Sequence, residues 1–145
     1  MKRTLLIIFF LLAITAVACS APPAAPAAPE TAVSANLVEL LDLADTVDVQ
    51  TVASIKDRED VYLIDVREQW EYDEGHIPGV TLIPMGEVAN RLAEIPTDKE
   101  VIVTCRSGNR SGQVTDFLRQ QGFDNVHNMD GGILAWQAAG YEVEQ

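Results

Sequence analysis

The sequence predicts an α/β fold, in which a central parallel sheet of about five strands carries helices on both faces. Three observations favour this fold class. Residues 61–65 and 101–104 are nearly continuous apolar runs, which are typical of parallel strands buried on both faces. Segments with apolar residues at helical spacing separate the strand-like runs. The alternation of the two kinds of segment favours a parallel sheet with right-handed crossovers.

The composition limits the classes of function. The chain has 145 residues, which is enough for one domain with a small core. Its 10 basic and 22 acidic residues give a net charge of −12, which argues against nucleic-acid binding because that function needs a basic face. The same charge repels small anions, so an anion site needs local attraction. The spacing of Cys19, Cys105 and the histidines fits no zinc site, and we expect neither a metal nor another cofactor.

The first 19 residues predict a secretory signal peptide. Lys2 and Arg3 form a positive start, an apolar run follows at residues 5–14, and small residues occupy 16–18. The apolar run is shorter than a membrane-spanning helix needs. We therefore expect the mature domain to leave the cytoplasm.

Cys19 follows the small residues directly, and this arrangement resembles the bacterial lipobox. The resemblance implies that Cys19 is lipidated and anchors the protein to a membrane surface, in the periplasm or at the cell surface. Ala16 departs from the pattern, which favours leucine there. Cleavage after Ala16-Val17-Ala18 by an ordinary signal peptidase is the alternative, and it leaves a secreted protein with a spare thiol.

Two segments connect this leader to the domain. Residues 20–35 are rich in alanine and proline, which favours an extended linker without a core. Residues 36–47 form a lead-in in which Leu37, Leu40 and Leu41 have helical spacing, and we predict a short helix over 36–44. The domain itself is expected over 48–145.

The elements of the domain follow from apolar pattern and punctuation. Strands are expected where β-branched and apolar residues run together, and helices where apolar residues recur every three or four positions before glycine or proline. Strands are predicted at 46–49, 61–65, 80–83, 101–104 and 125–127. Helical segments are predicted at 50–57 (with Val52 and Ile55 inward), 69–74 (before Gly75), 86–94 (before Pro96), 111–121 (before Gly122) and 132–139 (before Gly140).

The stretch 101–112 carries the chemistry. An apolar strand ends at Cys105, a polar loop with Arg106 and Arg110 follows, and helical spacing begins after Ser111. The carboxyl ends of parallel strands are where such sheets bind ligands. A loop with inward N–H groups ahead of a helix holds anions and lowers the pKa of a thiol. We therefore expect Cys105 to be a reactive, partly exposed thiolate, against the alternative of a buried structural cysteine.

Three motifs together resemble a known family. Cys105-Arg106-Ser107-Gly108-Asn109-Arg110 resembles the active-site loop of a single-domain rhodanese, a sulfurtransferase. Residues 65–79 and 131–136 are similar to the first and the C-terminal signatures of that family. The resemblance covers about Asp48 to the end and implies a rhodanese-like three-layer domain. It further implies that Cys105 takes sulfane sulfur from a small anionic donor such as thiosulfate, forms a persulfide, and passes the sulfur to cyanide, a thiol or a protein acceptor.

The resemblance also suggests roles for residues around the cysteine. Arg106, Ser107, Gly108, Asn109 and Arg110 would bind the donor, with Arg110 at the pocket floor and Arg106 at its mouth. One of these arginines could instead point to solvent or pair with an acidic neighbour. Arg67 could join them, although an Asp65–Arg67 pair that fixes the loop is favoured over substrate contact.

Other residues receive structural interpretations. Gly131 and Gly132 are expected to let the chain pass close to the cysteine loop. We expect Trp70 and Trp136 to be packing residues, and His76 to be a hydrogen-bonded core residue.

Other classes of function also fit these residues. A sulfur carrier or docking module would use the same fold, and the carrier would use the same persulfide. Related phosphatases share a cysteine loop that cradles anions, but theirs is one residue longer than the interval from Cys105 to Arg110. Some arsenate reductases have a similar loop.

Overall fold

The computed structural model describes residues 41–145. The predicted signal peptide, Cys19 and the alanine- and proline-rich linker lie outside the described residues. Within 41–145, no helix is both long enough and apolar enough to cross a lipid bilayer.

Five strands form one sheet in the order β1-β5-β4-β2-β3. All four neighbouring pairs are parallel, which confirms the predicted fold class. The strands are β1 (Thr46–Val47), β2 (Val61–Asp65), β3 (Thr81–Leu82), β4 (Glu100–Thr104) and β5 (Val126–Met129). The helices are α1 (Val49–Ile55), α2 (Gln69–Asp73), α3 (Asn109–Gln120) and α4 (Gly132–Ala138).

Two hydrophobic clusters cover the sheet, because the side chains of β4 alternate between its faces. Ile102 joins a cluster that includes Val52 of α1 and Trp136 of α4. Val101, Val103 and Cys105 belong to a second cluster, which includes Val114 and Leu118 of α3. The carboxyl end of the central strand therefore opens between two layers of helices, and Cys105 lies there.

The helix predicted over 86–94 is absent. The chain forms two 3₁₀ turns, Val88–Asn90 and Leu92–Glu94, and Arg91 between them leaves the helical conformation with φ −120° and ψ 20°. Gly86 and Asn90 are weak helix formers, and the N–H groups of this segment bond the carbonyl three residues back. The apolar spacing indicated the buried face correctly but not the kind of turn.

Two smaller differences concern helix boundaries. The part of the predicted lead-in helix that the structure describes, residues 41–44, is not helical, although Leu41 and Leu43 pack against the core. Helix α3 begins at Asn109 rather than Ser111, so Asn109 and Arg110 belong to its first turn.

Candidate active site

The cysteine loop begins where β4 ends. Cys105 follows Thr104 directly, and α3 starts four residues later at Asn109. Gly108 precedes α3 with a φ of 92°, a left-handed conformation that glycine adopts at little cost. This sharp turn brings the first turn of α3 next to the cysteine sulfur.

The first turn of α4 holds the loop by its carbonyl groups. The N–H of Ile133 donates to the Cys105 carbonyl at 2.8 Å, and the N–H of Leu134 donates to the Arg106 carbonyl at 3.1 Å. A trans peptide unit points its carbonyl and its N–H in opposite directions. Because the Arg106 carbonyl faces α4, the Ser107 N–H of the same peptide unit points away from α4, toward the sulfur.

Gly132 is what allows α4 to approach so closely. A Cβ at this position would collide with the Cys105 carbonyl oxygen and lie 2.6 Å from the Arg106 carbonyl carbon. Its φ is also positive, at 56°. The prediction that the glycine pair permits a close approach to the cysteine loop is therefore confirmed.

The sulfur of Cys105 lies among hydrogen-bond donors. The Gly108 N–H donates to Sγ at 3.2 Å, and the Ser111 hydroxyl donates to it at 3.3 Å. Burial raises the pKa of the Cys105 thiol. The hydrogen bonds from the Ser111 hydroxyl and from the N–H groups of Ser111, Ser107 and Gly108 together lower the pKa by more than burial raises it, so the pKa falls below its ordinary value. The loop therefore favours the thiolate, which is the nucleophilic form.

Cys105 is more enclosed than its sequence predicted. The residue is 1% exposed, so the expectation of a partly exposed thiol was wrong. The alternation of β4 places the side chain on the same face as Val101 and Val103, toward α3. Because water is excluded, the thiolate depends on the donors of the protein itself.

Arg110 is engaged by a carboxylate of the same chain. Its Nη1 and Nη2 lie 2.6 Å from Oε2 and Oε1 of Glu71, in a two-pronged ion pair. Glu71 is on α2 and is 7% exposed. Its hydrogen bonds with Arg110, reinforced by the Glu68 backbone, lower the pKa of Glu71 to about 2 against the opposing effect of burial. Arg110 therefore pairs with an acidic neighbour, which the sequence analysis gave as an alternative to binding the donor.

Asp65 and Arg67 form the structural pair that the sequence favoured. Arg67 Nε lies 2.8 Å from Asp65 Oδ2, and both side chains are buried. The other two nitrogens donate to the backbone carbonyls of Glu71 at 2.9 Å and Gly75 at 2.8 Å. Arg67 thus joins the end of β2 to α2, and it positions Glu71 opposite Arg110.

A cleft of about 800 Å³ lies beside the loop. Arg106, Arg110 and Arg67 line it together with Glu71 of α2, with the acidic residues directly before and after that helix, and with apolar residues of α4. Trp70 and Leu134 also line it and are 63% and 45% exposed. The expectation that Trp70 is a packing residue was therefore wrong, whereas Trp136 is buried and donates its indole N–H to the Glu142 carbonyl.

The remaining predicted site residues differ in position. Ser107 and Gly108 are in the loop and present their N–H groups to the sulfur. Asn109 is an exposed residue of α3, and its carbonyl accepts a hydrogen bond from Gln113. His76 is buried and stacks on Tyr72, and its Nδ1 is hydrogen-bonded to the backbone carbonyl of Tyr72. Within 41–145, no cluster of His, Cys, Asp and Glu side chains is arranged to hold a metal ion.

Sequence reasoning missed two residues of the site. The Ser111 hydroxyl escaped notice because only N–H groups of the loop were expected to face the sulfur. Glu71 lies inside the first signature stretch, 65–79, but its partner Arg110 is 39 positions away. No local pattern connects residues at such a distance, so the pair appears only in the folded chain.

Comparisons with known proteins agree with the fold. The family described as rhodanese-like domain matches residues 48–139. A relative from Allochromatium vinosum named sulfurtransferase is 43% identical over 89 residues, which are 61% of this chain and 83% of the relative. The thiosulfate sulfurtransferase GlpE of Pseudoalteromonas translucida is 39% identical over 83 residues, covering 57% of this chain and 79% of the relative. The crystal structure of a rhodanese-related protein from Thermoplasma volcanium has a TM-score of 0.63 at 30% identity, covering 70% of this chain and 98% of that one.

Proposed function

Because this chain belongs to the rhodanese-like domain family, we propose that it is a sulfurtransferase that works through a persulfide on Cys105. It moves sulfane sulfur from a donor such as thiosulfate to a thiophilic acceptor, either cyanide or a thiol. The observation that carries this proposal is the setting of Cys105 Sγ, which has hydrogen-bond donors at 3.2 and 3.3 Å and a lowered pKa.

The reaction is a double displacement. In the first step the Cys105 thiolate attacks the outer sulfur of thiosulfate, a sulfur–sulfur bond forms, and sulfite leaves with the electron pair of the broken bond. The products are a cysteine persulfide anion and sulfite, so the charge is balanced. In the second step cyanide takes the outer sulfur as thiocyanate, and the Cys105 thiolate returns.

The loop residues support both steps without a proton transfer. The N–H groups of Ser107, Gly108 and Ser111 and the hydroxyl of Ser111 already surround an anionic sulfur. We propose that the same donors stabilise the terminal sulfur of the persulfide, because preorganised donors stabilise charge without reorganisation. Neither nucleophile needs a general base, since both the thiolate and cyanide attack as anions.

The test is thiosulfate:cyanide transfer, measured as thiocyanate formation by the purified chain. Cys105→Ser should abolish transfer. Cys19→Ser is the matched control, because it removes the other thiol of the chain and should leave transfer intact. Equal inactivity of the wild type and Cys105→Ser across several sulfane donors would refute the enzymatic proposal.

A sulfur carrier is the second candidate, because it would need the same persulfide. A carrier accepts one sulfur from a donor but releases little thiocyanate on repeated turnover, so single- and multiple-turnover measurements separate the two. Release of phosphate from an aryl phosphate would instead favour a phosphatase.

We further propose that the protein is an extracytoplasmic lipoprotein, anchored through Cys19 in the periplasm or at the cell surface. The positive start, the apolar run and the small residues before Cys19 support this proposal. Mass spectrometry of the mature protein from its native membrane should find an acylated Cys19 at the N-terminus. An unmodified Cys19 at the N-terminus would point to ordinary signal-peptide cleavage.

A further inference from the structure

We propose that Glu71 determines which sulfur donors the enzyme prefers: the cleft selects a singly charged donor with an apolar organic group over the doubly charged thiosulfate. This inference rests on the proposed function, and it names the substrate class of the same site. Organic thiosulfonates are the simplest donors of this class.

Glu71 already occupies the anion-binding face of Arg110. Both outer nitrogens of that guanidinium lie 2.6 Å from the Glu71 carboxylate oxygens, which is the geometry in which arginine binds anions most strongly. A donor oxygen that approaches Arg110 therefore meets a cation that is already neutralised. A second negative charge on the donor gains little from Arg110 and is repelled by Glu71.

The balance of charge along the cleft also favours a singly charged donor. Arg67 is paired with Asp65, and Arg110 is paired with Glu71. Of the cleft residues that remain, Arg106 is positive, and Glu68 and Glu74 are negative. Among the residues that the structure describes, the Arg106 side chain has no carboxylate within ion-pair distance. One cation in a wall with two further carboxylates suits a monoanion better than a dianion.

The cleft has an apolar rim. Trp70 and Leu134 are the two large hydrophobic residues exposed within the described part of the chain, and both line this cleft. A volume of about 800 Å³ is far more than one inorganic anion fills. Exposed apolar side chains at the rim of a cleft are typical of ligand-binding sites, so the organic group of the donor lies against Trp70 and Leu134.

The reaction with such a donor balances in the same way as with thiosulfate. The Cys105 thiolate attacks the terminal sulfur of the thiosulfonate, and a new sulfur–sulfur bond forms. The old bond to the sulfonyl sulfur breaks, and its electron pair leaves with the sulfinate. The products are the persulfide anion and a sulfinate monoanion, so no oxidant or reductant is needed.

The experiment compares three donors with one acceptor, cyanide. Thiosulfate carries two charges, methanethiosulfonate carries one charge and a small group, and benzenethiosulfonate carries one charge and an aromatic group. We expect kcat/KM to rise in that order for the wild type. Because each reaction forms the same persulfide, its transfer to cyanide is common to all three. The donors also differ in leaving group, so donor recognition is reported by the change in each kcat/KM ratio between the wild type and a variant.

Glu71→Gln is the variant that tests the role of charge. It keeps the size of the side chain and an acceptor for Arg110, and it removes the negative charge. We expect kcat/KM for thiosulfate to rise at least about tenfold relative to methanethiosulfonate, because one unit charge several Å away contributes more than a tenfold difference at the effective dielectric of a protein surface. If Glu71 only supported the fold, its replacement would change kcat/KM for both donors by the same factor.

Glu74→Gln is the matched control, because Glu74 lines the same cleft on the same stretch of chain but lies outside the Arg110 ion pair. It should shift the donor ratio far less than Glu71→Gln does. Trp70→Ala tests the rim, and the variant should fold because the side chain of Trp70 is exposed. It should reduce the preference for benzenethiosulfonate over methanethiosulfonate and leave the preference between methanethiosulfonate and thiosulfate unchanged.

The outcomes separate the two proposals. Absence of transfer from all three donors overturns the proposed function itself. Transfer with a donor ratio that Glu71→Gln leaves unchanged, or that Glu74→Gln changes equally, overturns the role of Glu71 alone. Should Glu71→Gln fail to fold, added salt supplies the test in the wild type. Salt screens the charges of the cleft, so it should lower the ratio of kcat/KM for methanethiosulfonate to kcat/KM for thiosulfate. A ratio that stays constant or rises with salt contradicts the inference.

Discussion

Removal of the Ser111 hydroxyl should raise the pKa of the Cys105 thiol. This hydroxyl donates to Sγ at 3.3 Å and is the strongest of the groups that lower the pKa. A hydrogen bond to a charged group contributes about 1.5–3 kcal/mol, and one pKa unit corresponds to about 1.4 kcal/mol. Because the three backbone N–H groups remain, we expect Ser111→Ala to raise the pKa by about one unit.

The ultraviolet absorbance of the thiolate measures this change. The signal of Cys105→Ser is subtracted at each pH, so that the titration reports Cys105 alone. At any pH below both pKa values, the thiolate fraction of Ser111→Ala should be about tenfold lower than that of the wild type. Persulfide formation should slow by only about threefold, because a thiolate of higher pKa is the better nucleophile.

Ser107→Ala is the control for this measurement. Ser107 acts on the sulfur through its backbone N–H, which alanine retains, so the pKa of Cys105 should not change. An unchanged midpoint in Ser111→Ala, or an equal rise in both variants, would refute the account of how the loop stabilises the thiolate.

Three further predictions concern the scaffold around the loop. Gly132→Ala should lower the free energy of unfolding by at least about 2 kcal/mol, because its Cβ meets the backbone of the cysteine loop and its φ is positive. Gly140→Ala is the control: φ is also positive there but the space is open, so the free energy of unfolding should fall by less. Equal losses of stability in thermal unfolding would contradict this prediction. The pKa of Glu71 falls from 4.5 to about 2 on folding, so its contribution to stability is complete above pH 4.5 and is lost as the pH falls toward 2. Across that window, the free energy of unfolding measured with urea should fall by roughly 1–3 kcal/mol more in the wild type than in Glu71→Gln. Parallel pH profiles for the two proteins would count against this prediction. Asp65→Ala should cost about 3–5 kcal/mol in urea unfolding, because it leaves the buried Arg67 guanidinium without its counter-ion, and a loss below about 1 kcal/mol would show that the pair does not fix this region.

The sheet could be predicted from sequence because its signal is local. Val61–Asp65 and Glu100–Thr104 consist largely of β-branched and aliphatic residues, and such runs favour buried parallel strands wherever they occur. The segment 86–94 could not be resolved in the same way. Val88 and Leu92 have a spacing that fits both an α-helix and two successive 3₁₀ turns, and the conformation of Arg91 decides between them.

The site also contains features that have a local sequence signal and features that depend on the fold. The N–H groups of the cysteine loop follow from the change of strand to loop to helix, which the sequence displays. The ion pair between Glu71 and Arg110 joins residues 39 positions apart, so it depends on the fold. The burial of Cys105 could have been predicted, because Cys105 keeps the period-two register of Val101 and Val103.

The most direct test of the central claim is mass spectrometry of the chain after incubation with a sulfane donor and removal of the excess donor. The thiolate held by Ser111 and the loop N–H groups should accept one sulfur, and peptide mapping should place the added mass of a single sulfur atom on Cys105. Addition of cyanide should remove that mass. A chain that gains no sulfur on Cys105, or that gains equal sulfur when Cys105 is replaced by serine, would contradict the account.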